Sequence, residues 1–309
     1  MSTLRERVMA SPLRKPALKG YKQVRKRIYK PLEGAPGAPE FIGVGAITSG
    51  GPWWHSLICA HPQVRPPRNR RASQRFFDDF CYKEMTDADI AAYHARFAKT
   101  PGTITGEWTE MYLTQSWTLP LLTRVSPEAK IIVSFANPID AYRKAFAQRR
   151  ARVERGDKRV WMNTAAADRS YGNQLAALRR FFEPEQILVL QHEKCRADPR
   201  GEYKRTLQFL GVGDDFVPAD HLLTRTPPHE RVYEALQKVR VPESAIDRTI
   251  GRPAAGHEPP TLWPDHEEAL HVFLDPEIEQ VLDMVGDFDL TLWPDFAHLK
   301  RAGSPAGTP

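Results

Sequence analysis

Residues 41–62 read FIGVGAITSGGPWWHSLICAHP, and they are the most informative segment of the chain. The apolar run Phe41–Val44 predicts a buried strand, and a glycine-rich turn, Gly45–Gly51, follows it. Trp53–Ala60 then has the composition of a helix. Strand, glycine turn and helix together form an anion cradle, because the turn and the helix N-terminus present unpaired N–H groups. A purely structural turn is the alternative, and Gly51-Pro52 stand where a phosphate site would favour hydroxyl side chains.

Two known phosphate motifs do not fit this turn. GVGAITSGG lacks the Gly-Lys-Ser/Thr ending of a Walker loop. As a dinucleotide fingerprint its third glycine is misplaced, and no acidic residue follows a second strand at the right distance. Taken alone, the turn favours a phosphate cradle and a purely structural turn equally.

The rest of the chain alternates strand-like and helix-like segments. KIIVSF (130–135) and QILVL (186–190) are apolar runs typical of buried parallel strands, and 106–113 is a loop or short strand. Helices are predicted at 86–99, 139–155, 171–182, 203–210 and near 277–285. This alternation predicts an α/β fold, a central parallel sheet flanked by helices.

Composition and charge narrow the function class. The chain has 309 residues, 41% of them hydrophobic, and no apolar run reaches the roughly 18 residues of a membrane span. Its three cysteines, Cys59, Cys81 and Cys195, form no CxxC pair, so we expect buried small side chains, no metal site and a cytoplasmic protein. The net charge of +6 is concentrated in residues 1–40, which carry ten Lys/Arg against three Asp/Glu.

The predicted organisation has three parts. A basic N-terminal extension, 1–39, is expected to be a solvated arm, with contact to an anionic membrane surface as the alternative. One domain is expected at 40–300, followed by a flexible tail at 301–309. Within the domain, the Pro-rich region 218–262 predicts a long loop or lid. Nucleic-acid binding is not expected, because no aromatic residues interleave with the basic arm.

Six motifs occur in an order that resembles the PAPS-dependent sulfotransferase family, above all its bacterial members and the Golgi heparan-type domains. They are FIGVG…SG…WW…HP, FFDDF, GEWT..YL, NPID, QILVL..E..RADP and LQFLGV. The similarity covers about residues 41–215. Members transfer a sulfuryl group from 3′-phosphoadenylyl sulfate (PAPS) to a hydroxyl or amine. The resemblance implies their α/β fold with a P-loop-like turn, PAPS as cofactor, and an acceptor that is a glycan, a lipid or another hydroxyl or amine compound.

The resemblance assigns cofactor-binding residues, with departures at both phosphate sites. Gly45, Ser49, Gly50 and Trp53 match the loop for the 5′-phosphosulfate, and Gly51 in the same loop is also assigned to the cofactor. The family has a basic residue where Thr48 stands, and Thr-Thr or Thr-Ser where Gly51-Pro52 stand. Proline has no N–H to donate, so two hydroxyl contacts and one amide contact are lost.

The second phosphate motif departs in the same way. Asn137 matches the family's 3′-phosphate motif, but its preceding arginine is Ala136 and its later serine is Lys144. Arg143 and Lys144 are the candidate replacements for the missing positive charge. Because an arginine–phosphate fork is geometric as well as electrostatic, we expect PAPS binding to be weakened.

The motif for the catalytic base is also altered. Before FFDDF the family has Lys-Glu-Leu-His, and this chain has Ala-Ser-Gln-Arg, with Ser73 in place of the glutamate that resembles a general base. Glu107 is the candidate substitute, and His192, where the family often has tyrosine, is interpreted as a packing variant. These departures predict impaired or lost sulfuryl transfer. The alternative is a non-catalytic anion- or glycan-binding module using the arm and Arg65, Arg68, Arg70, Arg71 and Arg75.

Overall fold

The computed structural model describes residues 32–154, 156, 164–223 and 262–299. From Gly34 onward these residues belong to one compact unit. The predicted basic arm up to residue 31, most of the Pro-rich region and the tail from 301 lie outside the described residues. The predicted domain boundaries therefore stay a prediction.

Five parallel strands form the central sheet, and they confirm the predicted fold class. The strands are β1 (Phe41–Gly45), β2 (Val64–Arg65), β3 (Ile104–Trp108), β4 (Lys130–Phe135) and β5 (Ile187–Gln191). Their order is β2-β3-β1-β4-β5, and every neighbouring pair is parallel. The central strand β1 is buried along its whole length, which explains its continuous apolar run. The two-residue β2 carries no such pattern and was not predicted.

Helices cover both faces of the sheet. In chain order the described α-helices are α1 (Gly51–Ile58), α2 (Asp87–His94), α3 (Thr118–Val125), α4 (Pro138–Glu154), α5 (Thr164–Ala167), α6 (Tyr171–Leu178), α7 (His192–Ala197), α8 (Pro199–Leu210), α9 (Asp220–Leu223) and α10 (Pro264–Met284). The helix predicted near 277–285 is the C-terminal part of α10, and the prediction missed its start. The helix instead runs through Pro276 and begins with Pro264 in its first turn.

The strands divide their side chains between two cores. On β4, Ile131, Val133 and Phe135 belong to one core, whereas Ile132 belongs to the other. This alternation follows from the two-residue period of a strand. Helices α3, α6 and α10 pack on the first face, and α1 and α8 pack on the second. The sheet is thereby held between two helical layers, and the ends of its strands are left to form a site.

Two expectations from composition can be compared with the structure. Cys195 is buried and Cys59 is half-buried, but Cys81 is exposed, so the prediction of three buried cysteines was wrong for Cys81. Cys81 lies in the 3-10 turn Asp78–Cys81, where Phe80 is the buried side chain.

Among the helices described, none combines the length and apolar character needed to cross a bilayer.

Candidate anion-binding site

The turn after β1 lies where ligands bind in open α/β sheets. The strand order reverses on the two sides of β1, with β3 and β2 on one side and β4 and β5 on the other. Such a switch point opens a crevice at the carboxyl ends of the strands. Ser49, which is fully buried, joins the turn to β4: Ala136 N–H donates to its Oγ at 3.1 Å, and Ser134 Oγ donates to its carbonyl at 2.7 Å.

The turn keeps backbone donors for an anion. Thr48 (φ 68°) and Gly50 (φ 84°) both adopt left-handed conformations. The N–H groups of Thr48, Gly50 and Gly51 donate to no acceptor in the described part of the chain, and Gly50 and Gly51 are buried. A buried donor left unpaired costs about 1–3 kcal/mol, which a bound anion would offset. The geometry predicted for the turn from sequence is therefore present.

Two rings form one wall of this turn. An ideal Cβ on Gly50 would lie 2.5 Å from Cε1 and Nδ1 of His192, so this position cannot carry a side chain as the chain is packed. Trp53 meets His192 edge to face, with ring centroids 5.9 Å apart. The Trp53 indole N–H donates to the carbonyl of Leu222 at 2.6 Å, which ties the wall to α9. His192 thus packs on the turn, in agreement with its interpretation from sequence.

A third ring closes the start of α1. An ideal Cβ on Gly51 would lie 2.1 Å from Trp108 Nε1, and one on Gly43 would lie 2.1 Å from Trp108 Cδ2. Trp108 is fully buried, and its indole N–H finds no acceptor among the residues described. The hydroxyl residue that the family has at position 51 would collide with this indole. Gly51 is therefore required by the packing of Trp108.

A buried arginine reaches the turn from a distant part of the sequence. Arg169, only 1% exposed, precedes α6 and donates from Nη2 to the carbonyl of Ala141 at 2.9 Å and to Thr48 Oγ1 at 3.4 Å. The carboxylate of Asp168 lies 4.0 Å from its Nη1 and offsets part of the charge. Sequence reasoning missed this residue, because it lies in a short connection with no local signal. It brings a cation to Thr48, where the family resemblance expects a basic residue.

Asn137 is held by hydrogen bonds at the start of α4. Its Oδ1 accepts from the N–H groups of Ile139 at 3.0 Å and Asp140 at 3.4 Å, as an N-cap does. Its Nδ2 donates to Asp295 Oδ2 at 2.6 Å, and its backbone N–H donates to Glu193 Oε1 at 3.1 Å. Two carboxylates thus accept from the backbone N–H of Asn137 and from one of the two protons on its Nδ2, at a residue that the sequence analysis assigned to the cofactor.

The guanidinium of Arg143 lies among three carboxylates. Its Nη1 is 3.2 Å from Asp140 Oδ1 and 3.5 Å from Asp295 Oδ1, and its Nη2 contacts Glu267. Lys144, the other candidate cation, is exposed. The sequence analysis assigned Arg143 to a donor phosphate. In the structure its positive charge is instead paired with carboxylates of the protein itself.

Glu107, the candidate base, is buried and joins neighbouring segments of the chain through hydrogen bonds. It is fully buried, and its two oxygens accept four hydrogen bonds, from Tyr93 OH (2.7 Å), Tyr112 OH (3.3 Å), Thr109 Oγ1 (2.6 Å) and Gln74 N (3.1 Å). Burial raises the pKa of its carboxyl, and these hydrogen bonds oppose the rise. With no exposed surface and both oxygens engaged, Glu107 has no route to an acceptor hydroxyl. It fixes β3 to the segment that carries Ser73.

An open cleft of about 680 Å³ lies beside the turn. Leu113 in its wall packs against Gly45, the last residue of β1, and Asp168 in its wall precedes Arg169. Most of its lining is apolar, and Asp168 and Arg180 are its charged members. The cleft thus lies next to residues that contact the turn, although no residue of the turn is among those that line it.

Comparisons with solved structures identify the fold. A sulfotransferase from Alicyclobacillus acidocaldarius matches with a TM-score of 0.57 and 21% identity, over 82% of this chain and 98% of that one. A sulfotransferase domain from the Synechococcus PCC 7002 olefin synthase (19% identity, 79% and 97% covered, TM-score 0.42) and a mouse sulfotransferase complexed with PAP (13%, 86% and 90%, 0.46) also match. No protein-family profile and no curated sequence matches the chain. The first structure carries the conclusion that this chain has the sulfotransferase fold.

Proposed function

We propose that this protein is a sulfotransferase-fold protein whose donor site is impaired, so that PAPS binds weakly and sulfuryl transfer is slow or lost. The observation that carries the proposal is the contact of Arg143 with three carboxylates near the N-terminus of α4. By the family resemblance, this is the strand-to-helix segment that holds the 3′-phosphate of the donor.

Electrostatics gives the physical reason. A phosphate brought to Asn137 would meet the carboxylates of Asp295 and Glu193, which already accept from its side-chain amide and backbone N–H. Like charges brought together at a partly buried site cost several kcal/mol. Arg143 cannot offset this cost while its charge is shared among Asp140, Glu267 and Asp295.

The residues present also slow the sulfuryl-transfer step itself, apart from their effect on donor binding. In sulfuryl transfer, charge develops on the bridging and equatorial oxygens, and turn amides and cations must stabilise it, as in phosphoryl transfer. Pro52 has no backbone N–H to donate, and Gly51 has no hydroxyl group. Ser73 is not a base at neutral pH, and Glu107 is buried with both oxygens engaged. The loss of a positioned base alone lowers a rate by roughly 10²–10⁴-fold.

A non-catalytic anion-binding module is the second candidate, favoured by the unpaired N–H groups of the turn and by Arg169. The arginine cluster assigned to such a role from sequence gives it less support. Arg65 donates to Thr100, Arg68 to the carbonyls of Phe97 and Gly34, and Arg75 pairs with Asp78.

Thermal unfolding with two ligands tests both candidates. Adenosine 3′,5′-bisphosphate (PAP), the donor without its sulfuryl group, should leave the unfolding midpoint unchanged at 100 μM. Binding with a micromolar Kd would stabilise the protein by about 2.7 kcal/mol at that concentration and would contradict the impaired site. For the second candidate, millimolar sulfate should raise the midpoint in the wild type and in the control Arg196→Gln, which changes an exposed arginine outside the cluster, but not in Arg169→Gln. A sulfate effect that survives in Arg169→Gln would remove that candidate.

A further inference from the structure

Three metal-ligating side chains converge on the surface of the C-terminal part of the unit. His271 and Asp275 lie one turn apart on α10, and His298 follows the last 3-10 turn, Pro294–Phe296. His271 Nδ1 donates to Asp275 Oδ1 at 2.9 Å, and His298 Nε2 donates to Asp275 Oδ2 at 2.7 Å. One ligand atom from each residue lies within 4.8 Å of those of the other two. All three groups reach solvent, so an ion has a path to them.

We propose that His271, Asp275 and His298 bind one divalent transition-metal ion of the zinc class. Two imidazoles and a carboxylate form a borderline nitrogen and oxygen ligand set, which suits Zn²⁺ and its neighbours better than Ca²⁺ or Mg²⁺. Zn–N and Zn–O bonds are about 2.0–2.2 Å long, so tetrahedral ligand atoms lie about 3.3 Å apart. The two nitrogen–oxygen pairs, 2.9 Å to Oδ1 and 2.7 Å to Oδ2 of Asp275, are shorter than that separation, so the exposed side chains must move slightly apart to admit an ion. Water completes a four-coordinate ion.

Binding requires the ring protons to move. In the metal-free arrangement, each histidine donates an N–H to Asp275. In the metal complex, Nδ1 of His271 and Nε2 of His298 give their lone pairs to the ion. Each neutral ring then carries its single proton on the opposite nitrogen. Asp275 exchanges two N–H donors for the cation, and its carboxylate offsets one of the two positive charges of the ion.

The three ligands are held on a rigid base. Both histidine rings lie beside Phe296, which is fully buried, with centroids 5.3 Å from His271 and 6.5 Å from His298. An ion would therefore cross-link α10 to the segment that carries Asp295. Because Asp295 accepts a hydrogen bond from Asn137, metal binding would stabilise the chain next to the anion-binding turn. The prediction of no metal site from sequence rested on the cysteines alone, and the third ligand, His298, is distant in sequence from the His-x₃-Asp pair.

Titration of the full chain with Co²⁺ and Zn²⁺ tests the proposal. We expect one Co²⁺ per chain with the visible absorption of a tetrahedral site, and displacement of Co²⁺ by Zn²⁺. His271→Ala and His298→Gln should each weaken binding by at least about 100-fold, more than the loss of an outer-shell partner. The control Glu279→Gln, an exposed residue one turn further along α10, should bind as the wild type does.

Thermal unfolding gives the second readout. Zn²⁺ should raise the unfolding midpoint of the wild type and of Glu279→Gln, and should leave that of His298→Gln unchanged. His298 is about half exposed, so this variant should fold, which circular dichroism can verify. Failure of the wild type to bind either metal at micromolar concentration would overturn the proposal. Equal affinity in the wild type and both histidine variants would overturn it as well.

Discussion

The indole of Trp108 fills the space beside Gly51 that a side chain at position 51 would need. A Cβ built on Gly51 would lie 2.1 Å from Trp108 Nε1, and both residues are buried. Gly51, at the start of α1, lacks the hydroxyl that the family has there, and Trp108, at the end of β3, occupies the space that such a side chain would need. Restoring a threonine at position 51 alone would not restore a donor site, because Trp108 would have to move first.

A double-mutant cycle measures this coupling. Gly51→Ala should lower the free energy of unfolding by about 1–3 kcal/mol, because it overpacks a closed contact. In a Trp108→Leu background the same change should cost at least about 1 kcal/mol less, since the indole is gone. Denaturant unfolding of the four proteins supplies the numbers. Gly286→Ala is the matched control, because its Cβ would meet nothing within 4 Å; strict additivity at Gly51 and Trp108 would contradict the contact.

The hydroxyl of Ser49 holds the turn to β4. Ser49→Ala leaves the N–H of Ala136 unpaired in a buried place, so the free energy of unfolding should fall by about 1–3 kcal/mol. Ser56→Ala, on the exposed side of α1, should change it by less than about 0.5 kcal/mol. Chemical denaturation measures both. Equal effects of the two substitutions would show that the Ser49 bond contributes nothing.

Carboxylates near Arg143 should suppress anion binding. In the double variant Glu267→Gln and Asp295→Asn, two negative charges leave the surroundings of the guanidinium, so the affinity for PAP should rise by on the order of tenfold. The gain should shrink at high salt, because the interaction is electrostatic. Quenching of the intrinsic tryptophan fluorescence, to which Trp53 at the turn contributes, can follow it. Glu279→Gln removes an exposed charge from the same helix and should have no effect; an unchanged affinity in the double variant would refute the account of Arg143.

Acid should destabilise the fold through His55. Burial lowers the pKa of this histidine from 6.5 to about 4, although its Nε2 lies 3.3 Å from the carbonyl of Gly106. Between these values the unfolded chain binds a proton that the folded chain does not, so stability falls as the pH falls from 6.5 to about 4. The loss should approach about 3 kcal/mol, since one pKa unit corresponds to about 1.4 kcal/mol.

The variant His55→Gln isolates this contribution. Its free energy of unfolding, measured at several pH values, should lack the slope that His55 adds to the wild type in that window. All other titrating groups are common to the two proteins, so the difference between the curves belongs to position 55. Parallel curves would mean that His55 is not buried in its neutral form.

The sequence predicts the parts of this fold that local pattern determines. Strands β1, β4 and β5 are apolar runs, because a central parallel strand is buried on both faces. The capping box at Thr86 likewise marks the start of α2. The start of α10 was missed, since the cost of Pro276 inside a helix is outweighed by burial of Leu274, Ile278 and Val281.

The turn of the candidate site could be predicted from sequence, whereas the charged residues that surround it could not. Gly50 and Ser49 are recognisable because a left-handed turn at a strand end needs glycine and short polar residues. Arg169 and Asp295 come to the site through tertiary packing, and the sequence around each of them carries no motif that would signal it.

The pentapeptide TLWPD occurs twice, at 261–265 and 291–295. A helical segment starts at the proline of each copy. Both segments contact Arg143 on α4, the first through Glu267 and the second through Asp295.

The most direct test of an impaired donor site is isothermal titration calorimetry of the wild-type chain with PAP at low ionic strength. The account predicts no saturable heat up to about 1 mM ligand, because loss of one charged partner at such a site costs on the order of 2–5 kcal/mol and two phosphate sites are affected. A one-to-one isotherm with a micromolar Kd would contradict it.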